Sequence, residues 1–186
     1  LFMATDEENV QSLVDNEVVP PALLNLSAFP ENPDVHHNTL FLLSSIALVE
    51  DNVPMLQSSG ALGAVSASLR LHPTNVEVRA GARDTLQLVA SAEDVRGYVE
   101  ELAAIHAALA NGDGADSEDI TRLSHTVGAL SVVHDYALSI VSAGAIASVA
   151  AILNALAAQP ASPELEESMA AATYALTEMS KAATGV

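Results

Sequence analysis

The residues with the most obvious chemical potential are six histidines. His36 and His37 are adjacent, so on a helix their side chains point about 100° apart and cannot share an ion as an i, i+4 pair would. His72 stands just before Pro73, while His106, His125 and His134 are isolated in sequence. The absence of cysteine excludes disulfide frameworks and thiolate metal sites. The acidic run Asn111-Gly112-Asp113-Gly114-Ala115-Asp116-Ser117-Glu118-Asp119 looks superficially like a calcium loop. It departs from that pattern where the chemistry is strictest: Ala115 takes a ligand position, Asp116 the glycine position, and Arg122 the place of the bidentate glutamate. A flexible acidic connector is the expected role. A glycine-rich phosphate loop, a nucleophile elbow and an HExxH helix are all absent from the sequence. No catalytic residue, cofactor or resident metal is expected, and the chain reads as a non-enzyme.

Composition narrows the alternatives. The 186 residues carry 24 Asp and Glu against six Lys and Arg, a formal charge of −18. Half are hydrophobic, only 3% are aromatic, and mean hydropathy is +0.32. This is too apolar for a disordered acidic tail. It is too poor in cations for nucleic acid, where each phosphate contact calls for one. Many acids also have a local use: Asp6-Glu7-Glu8, Glu50-Asp51, Glu93-Asp94 and Asp135 fall where short helices are expected to begin, complementing the helix dipole.

Membrane insertion is tested by the stretch from Ala137 to Ala158, which carries no charge. As one helix it would be about 33 Å long, enough to cross a bilayer. It is mostly Ala and Ser, contains Gly144 and Asn154, and lacks flanking Lys or Arg. Two helices packed inside a helical array are the expected reading. The opening Leu1-Phe2-Met3-Ala4 shows neither a basic n-region nor a long apolar h-region, so no secretory leader is expected.

The elements that must position any site emerge from internal repetition. Glu7-Glu8-Asn9-Val10 with Leu13 returns 43 residues later as Glu50-Asp51-Asn52-Val53 with Leu56. At an offset of 84, Asp51, Leu56, Ser58, Gly60, Ala61, Leu62, Val65 and Leu69 match Asp135, Ile140, Ser142, Gly144, Ala145, Ile146, Val149 and Leu153. Ala47 and Asp51 recur as Ala90 and Asp94. Asn32-Pro33 and Ser162-Pro163 read as N-caps with proline at the first helical position. Thr74 and Glu77 read as a capping box. Each opens a stretch of apolar residues at helical spacing, ending near Val49, Ala90 and Lys181, and a further such helix begins near Ser117. No strand alternation is found, so the chain is all-α.

These features resemble the armadillo repeat family over essentially the whole length. The resemblance rests on the Ser-x-Gly-Ala-[Leu/Ile] turn (58–62 and 142–146) and on the closing pattern of each third helix. That pattern appears at Leu43/Ile46/Ala47, Leu86/Val89/Ala90, Val127/Leu130/Ser131 and Leu176/Met179/Ser180. The small residues Ala82 and Ala172 fall where the family packs third helices tightly. The resemblance implies a right-handed α-solenoid with approximate repeats 6–49, 50–91, 92–134 and 135–182, and with 1–5 ending a preceding repeat. In the third copy Glu101-Leu102 replaces the glycine turn, so its first two helices are expected to run as one over roughly 94–110. Neither end looks like a polar capping repeat, so the chain is expected to be a piece of a longer array whose neighbouring repeats flank it.

The family binds extended or helical partner segments along a concave face lined by third helices, often through a Trp and an Asn four residues later. Phe41, Asp84, His125 and Tyr174 stand at the Trp positions here; Ser45, Leu88, Ala129 and Glu178 stand at the Asn positions. No Trp–Asn pair survives, which argues against nuclear-import cargo recognition. The implied partner-binding residues are His37, Phe41, Ser45, Asp84, Leu88, His125, Tyr174 and Glu178, against the bland alternative of ordinary solvated helix faces. The expected function is a cytoplasmic, non-enzymatic scaffold or adaptor for a protein peptide or helix, with basic or apolar anchors. A cytoskeletal or ciliary setting fits the same reading. The alternative is a helical regulatory or substrate-positioning domain of a larger enzyme or chaperone assembly. A membrane-associated helical protein is the third class.

Overall fold

A computed structural model describes residues 7–184. They form helices and no strands. Six helices precede Ser91: α1 (Glu7–Asp15), α2 (Val19–Ala28), α3 (Pro33–Ala47), α4 (Val53–Ser58), α5 (Ala61–Leu71) and α6 (Val76–Val89). Five follow it: α7 (Ala92–Ala110), α8 (Ser117–Leu130), α9 (His134–Ser142), α10 (Ala145–Ala157) and α11 (Pro163–Thr184). The chain divides into two compact units between Ser91 and Ala92. Residues 1–6, which include Asp6 and the expected end of a preceding repeat, lie outside the described residues.

The second unit repeats the first at the offset read from sequence. Adding 84 to the bounds of α3, α4 and α5 lands on α8, the later part of α9, and α10. The backbone hydrogen bonds repeat with them. Val49 N–H donates to Ile46 O, Ser59 N–H to Met55 O, Gly60 N–H to Gln57 O, and Ala64 N–H to Gly60 O. Their counterparts run from Val133, Ala143, Gly144 and Ser148 to Leu130, Ser139, Val141 and Gly144. Gly60 and Gly144 hold left-handed conformations, with φ of +83° and +85°. A side chain is disfavoured there, because its Cβ would crowd the carbonyl. Each glycine turns the chain so that a short first helix is followed at once by the second.

The two units differ at their first helices, and proline explains the difference. In unit 1, α1 is closed two residues beyond its end by Glu17, which is left-handed at φ +53°. Val18 N–H then reaches Leu13 O and Glu17 N–H reaches Val14 O, closing a Schellman cap. Pro20 and Pro21, which cannot continue a preceding helix, open the next one. At the equivalent offset unit 2 has Ala104 and Ile105, and α7 runs unbroken through them. It ends in the same kind of cap at Gly112 (φ +81°), with Asp113 N–H bonded to Ala108 O. The acidic connector therefore begins as a helix stop. It ends as a helix start, since Asp116 accepts a 2.7 Å bond from Glu118 N–H.

The remaining caps follow the sequence with one correction. Asn32 Oδ1 accepts from Asp34 and Val35 N–H, and Ser162 Oγ accepts from Leu165 N–H. The expected capping box at Thr74 is displaced by one residue. α6 starts at Val76, and the capping oxygen is Asn75 Oδ1, which receives Val78 N–H at 2.9 Å. Asn and Thr both cap well, and the turn geometry after Pro73 presents Asn75.

Each unit is built on a pair of long helices, α3 with α6 and α8 with α11. In unit 1 the core gathers Val10, Val19, Leu43, Ile46, Leu56, Ala61 and Val89. In unit 2 Leu102, Ile120, Leu123, Val127, Leu130, Ile140, Val149, Ile152 and Met179 are buried. Ala82 and Ala172 are wholly buried, as the tight packing of the long helices requires. The closing pattern is inward-facing in its first three copies; in the last, Ser180 is exposed. The uncharged stretch 137–158 is broken at Gly144, with α9 and α10 bent by 69°. Among the described residues no single helix is long and apolar enough to cross a membrane.

The glycine turns set a stability contrast. Gly144→Val is expected to destabilise the chain by more than about 1 kcal/mol. Gly63→Ala, within α5 where an added Cβ meets nothing within 4 Å, is expected to stabilise by roughly 0.5–1 kcal/mol. Urea denaturation of the two variants measures both, and equal effects would contradict the assigned turn.

Candidate functional site

The long helices present the side chains that sequence singles out, and they do so unit by unit. On α3, His37 and Phe41 are half-buried, and Ser45 is buried with its hydroxyl donating to Phe41 O at 2.8 Å. On α6, Leu88 is half-buried and Asp84 is exposed, beside the Arg83 guanidinium at 3.5 Å. An exposed pair of this kind contributes little to stability, so Asp84 remains available to a cation from outside. Ser45 is different. Its hydroxyl is spent on its own helix, so it is part of the packing and not a contact surface.

α3 and α6 approach closely because of one missing atom. A Cβ at Gly81 would lie 3.1 Å from Leu40 Cβ. One turn further along α6, Thr85 Oγ1 lies 3.1 Å from Leu40 O and 2.8 Å from Gly81 O. A single hydroxyl hydrogen bridges the backbones of both helices. This crossing fixes the spacing between the α3 and α6 side chains.

In unit 2 the equivalent face is organised by a ring. Tyr174 on α11 lies over Gly128 on α8, where a Cβ would sit 2.7 Å from the ring. Its ring centroid is 5.9 Å from that of His125. At the same crossing Ser168 Oγ approaches Ser117 O and Thr121 Oγ1 at 3.1 and 2.9 Å. His125 and Tyr174, read separately from sequence, therefore form one aromatic pair. Glu178 departs from the expectation of a groove acid. It is 4% exposed, and Lys181 Nζ donates to its Oε1 at 2.7 Å. Paired and covered, it is not offered to a partner, and reversing its charge would test folding and not binding.

One polar group was not among the expected binding residues. His36, 1% exposed, bonds through Nδ1 to Ser68 Oγ at 2.9 Å and packs edge-on against the His72 ring at 4.5 Å. Burial lowers its pKa from the ordinary histidine value, and the neighbouring His72 lowers it further; the Phe29 backbone carbonyl pulls the other way. The adjacent His36-His37 pair thus splits as helix geometry requires, one residue in the interior and one on the long-helix face. Among the described residues no group of three or more His, Asp or Glu is placed to hold a metal ion.

No protein-family model, curated protein or solved structure matches this chain.

Because the folded state disfavours the charged imidazole, His36 binds its proton more readily in the unfolded chain. Its contribution is complete above the ordinary histidine pKa and is lost as pH falls through the lowered folded value. Wild-type stability, measured by urea denaturation between about pH 8 and 5, is therefore expected to fall more steeply than that of His36→Gln. Parallel curves would contradict the assignment.

Proposed function

We propose that the chain is an armadillo-like helical repeat module that works as a non-enzymatic scaffold, holding a partner peptide or helix against its long-helix faces. The observation that carries this reading is the recurrence, 84 residues apart, of the same backbone bonds around two left-handed glycines. One supersecondary unit occurs twice. Modules of repeated helices bury one face against each other and leave another for binding.

The groups available on these faces favour a particular partner. Phe41, Leu88, His125 and Tyr174 provide half-buried apolar and aromatic surface, and Asp84 provides an accessible carboxylate. Aromatic anchors with a polar rim are the usual carriers of binding energy in protein interfaces. A partner segment with apolar side chains and a Lys or Arg would satisfy both. The excess of acid over base across the whole chain would steer such a segment during approach.

The test is affinity purification of the full-length protein with crosslinking, which is expected to place partner contacts on α3, α6, α8 and α11. For a partner so identified, Asp84→Arg is expected to weaken binding about fivefold, and raising salt from about 50 to 300 mM to weaken it further. Binding that survives both, with crosslinks confined to other helices, would overturn the proposal.

A further inference from the structure

A cleft of about 310 Å3 lies in unit 1 between α2 and α5, with His36 of α3 in its lining. Leu23, Leu26, Ala64 and Ala67 make its walls apolar. Three polar side chains also line it, and two of them have unused capacity. Arg70 is the first. Arg83, Arg96, Arg122 and Lys181 each face a carboxylate, and Arg79 donates to Pro73 O. Among the described residues Arg70 has neither an ion pair nor a hydrogen bond, in a chain with four acids for each base. His36 is the second: it is almost wholly buried, and its Nε2 has no hydrogen-bond partner.

An apolar cleft with one uncommitted guanidinium suits a ligand with an apolar body and a single acidic head. We propose that this cleft binds a small aliphatic carboxylate of the medium-chain fatty acid class. The carboxylate sits on Arg70, whose planar fork matches its two oxygens. The alkyl chain lies among Leu23, Leu26, Ala64 and Ala67, where each buried methylene contributes to binding. An extended peptide ending in a carboxylate fits less well. The remaining polar lining residue, Ser27, already donates its hydroxyl to Leu24 O at 3.0 Å. A row of peptide amides would find too few partners in these walls.

The test is a titration of the full chain, isotope-labelled at Leu and Ala methyls, with sodium octanoate, octanol and a short peptide ending in leucine. Octanoate is expected to give saturable shifts at Leu23, Leu26, Ala64 and Ala67, with a Kd of about 1 mM or tighter. Arg70→Gln, at an exposed position, is expected to weaken octanoate about tenfold while leaving the unbound spectrum unchanged elsewhere, and octanol should bind as weakly as octanoate does to that variant. Absence of saturable shifts, equal binding of octanoate and octanol, or indifference to Arg70→Gln would overturn the proposal. Tighter binding of the peptide than of octanoate would do so as well, in favour of a peptide terminus.

Discussion

Each unit depends on the close approach of two long helices at a residue with no side chain. Gly81 lets Leu40 lie against the α6 backbone, and Gly128 lets the Tyr174 ring lie against the α8 backbone. Dispersion falls steeply with distance, so a crossing opened by even an ångström loses much of its contact energy. The alanine content and the near-absence of aromatics follow from that spacing. Ala82, Ala172 and Ala175 are wholly buried around these crossings, where larger side chains would hold the helices apart. The ring of Tyr174 is the exception that one glycine accommodates. Hydroxyls from Thr85 and Ser168 then tie helix to helix through backbone oxygens, at little cost in volume.

The duplicated turn was legible in the sequence because it has a backbone requirement with one cheap solution. A left-handed residue before a helix selects glycine, and the surrounding Ser and Ala mark its two ends. The fusion of the first helices in the second unit was also legible, since Glu101-Leu102 stands there in place of the glycine turn; the part played by Pro20-Pro21 in the first unit was not. The displaced cap at Asn75 was not. Thr74 and Asn75 are both good capping residues, and only the path of the turn after Pro73 selects between them. The division of the chain between Ser91 and Ala92 falls at the boundary between the expected repeats 50–91 and 92–134, although no proline or glycine stands at that point.

The candidate site was legible in part. Position along a helix identifies which residues share a face, and it brought His125 and Tyr174 onto neighbouring helices where their rings meet. It does not reveal local pairing. Glu178 reads as a groove acid until Lys181, one turn later, is seen to cover it. Ser45 likewise turns its hydroxyl back onto Phe41. Charge behaves in the same way. The −18 total suggests a basic partner for the whole surface, yet acids such as Glu93, Asp94, Glu118 and Asp135 occupy first turns of helices. Of the two acids among the expected binding residues, Asp84 and Glu178, only Asp84 is exposed. In this setting an unpaired cation is more informative than another acid, which is why Arg70 stands out.

The central physical claim is that glycine-permitted crossings set the spacing of the long helices. The most direct measurement is a nuclear Overhauser experiment on the intact chain, with Gly128 and Tyr174 selectively labelled. A strong cross-peak between the Gly128 α-protons and the Tyr174 ring protons, with ring-current displacement of the glycine resonance, is the result this packing predicts. A Gly128 resonance at its ordinary position, with no cross-peak to the ring, would contradict it.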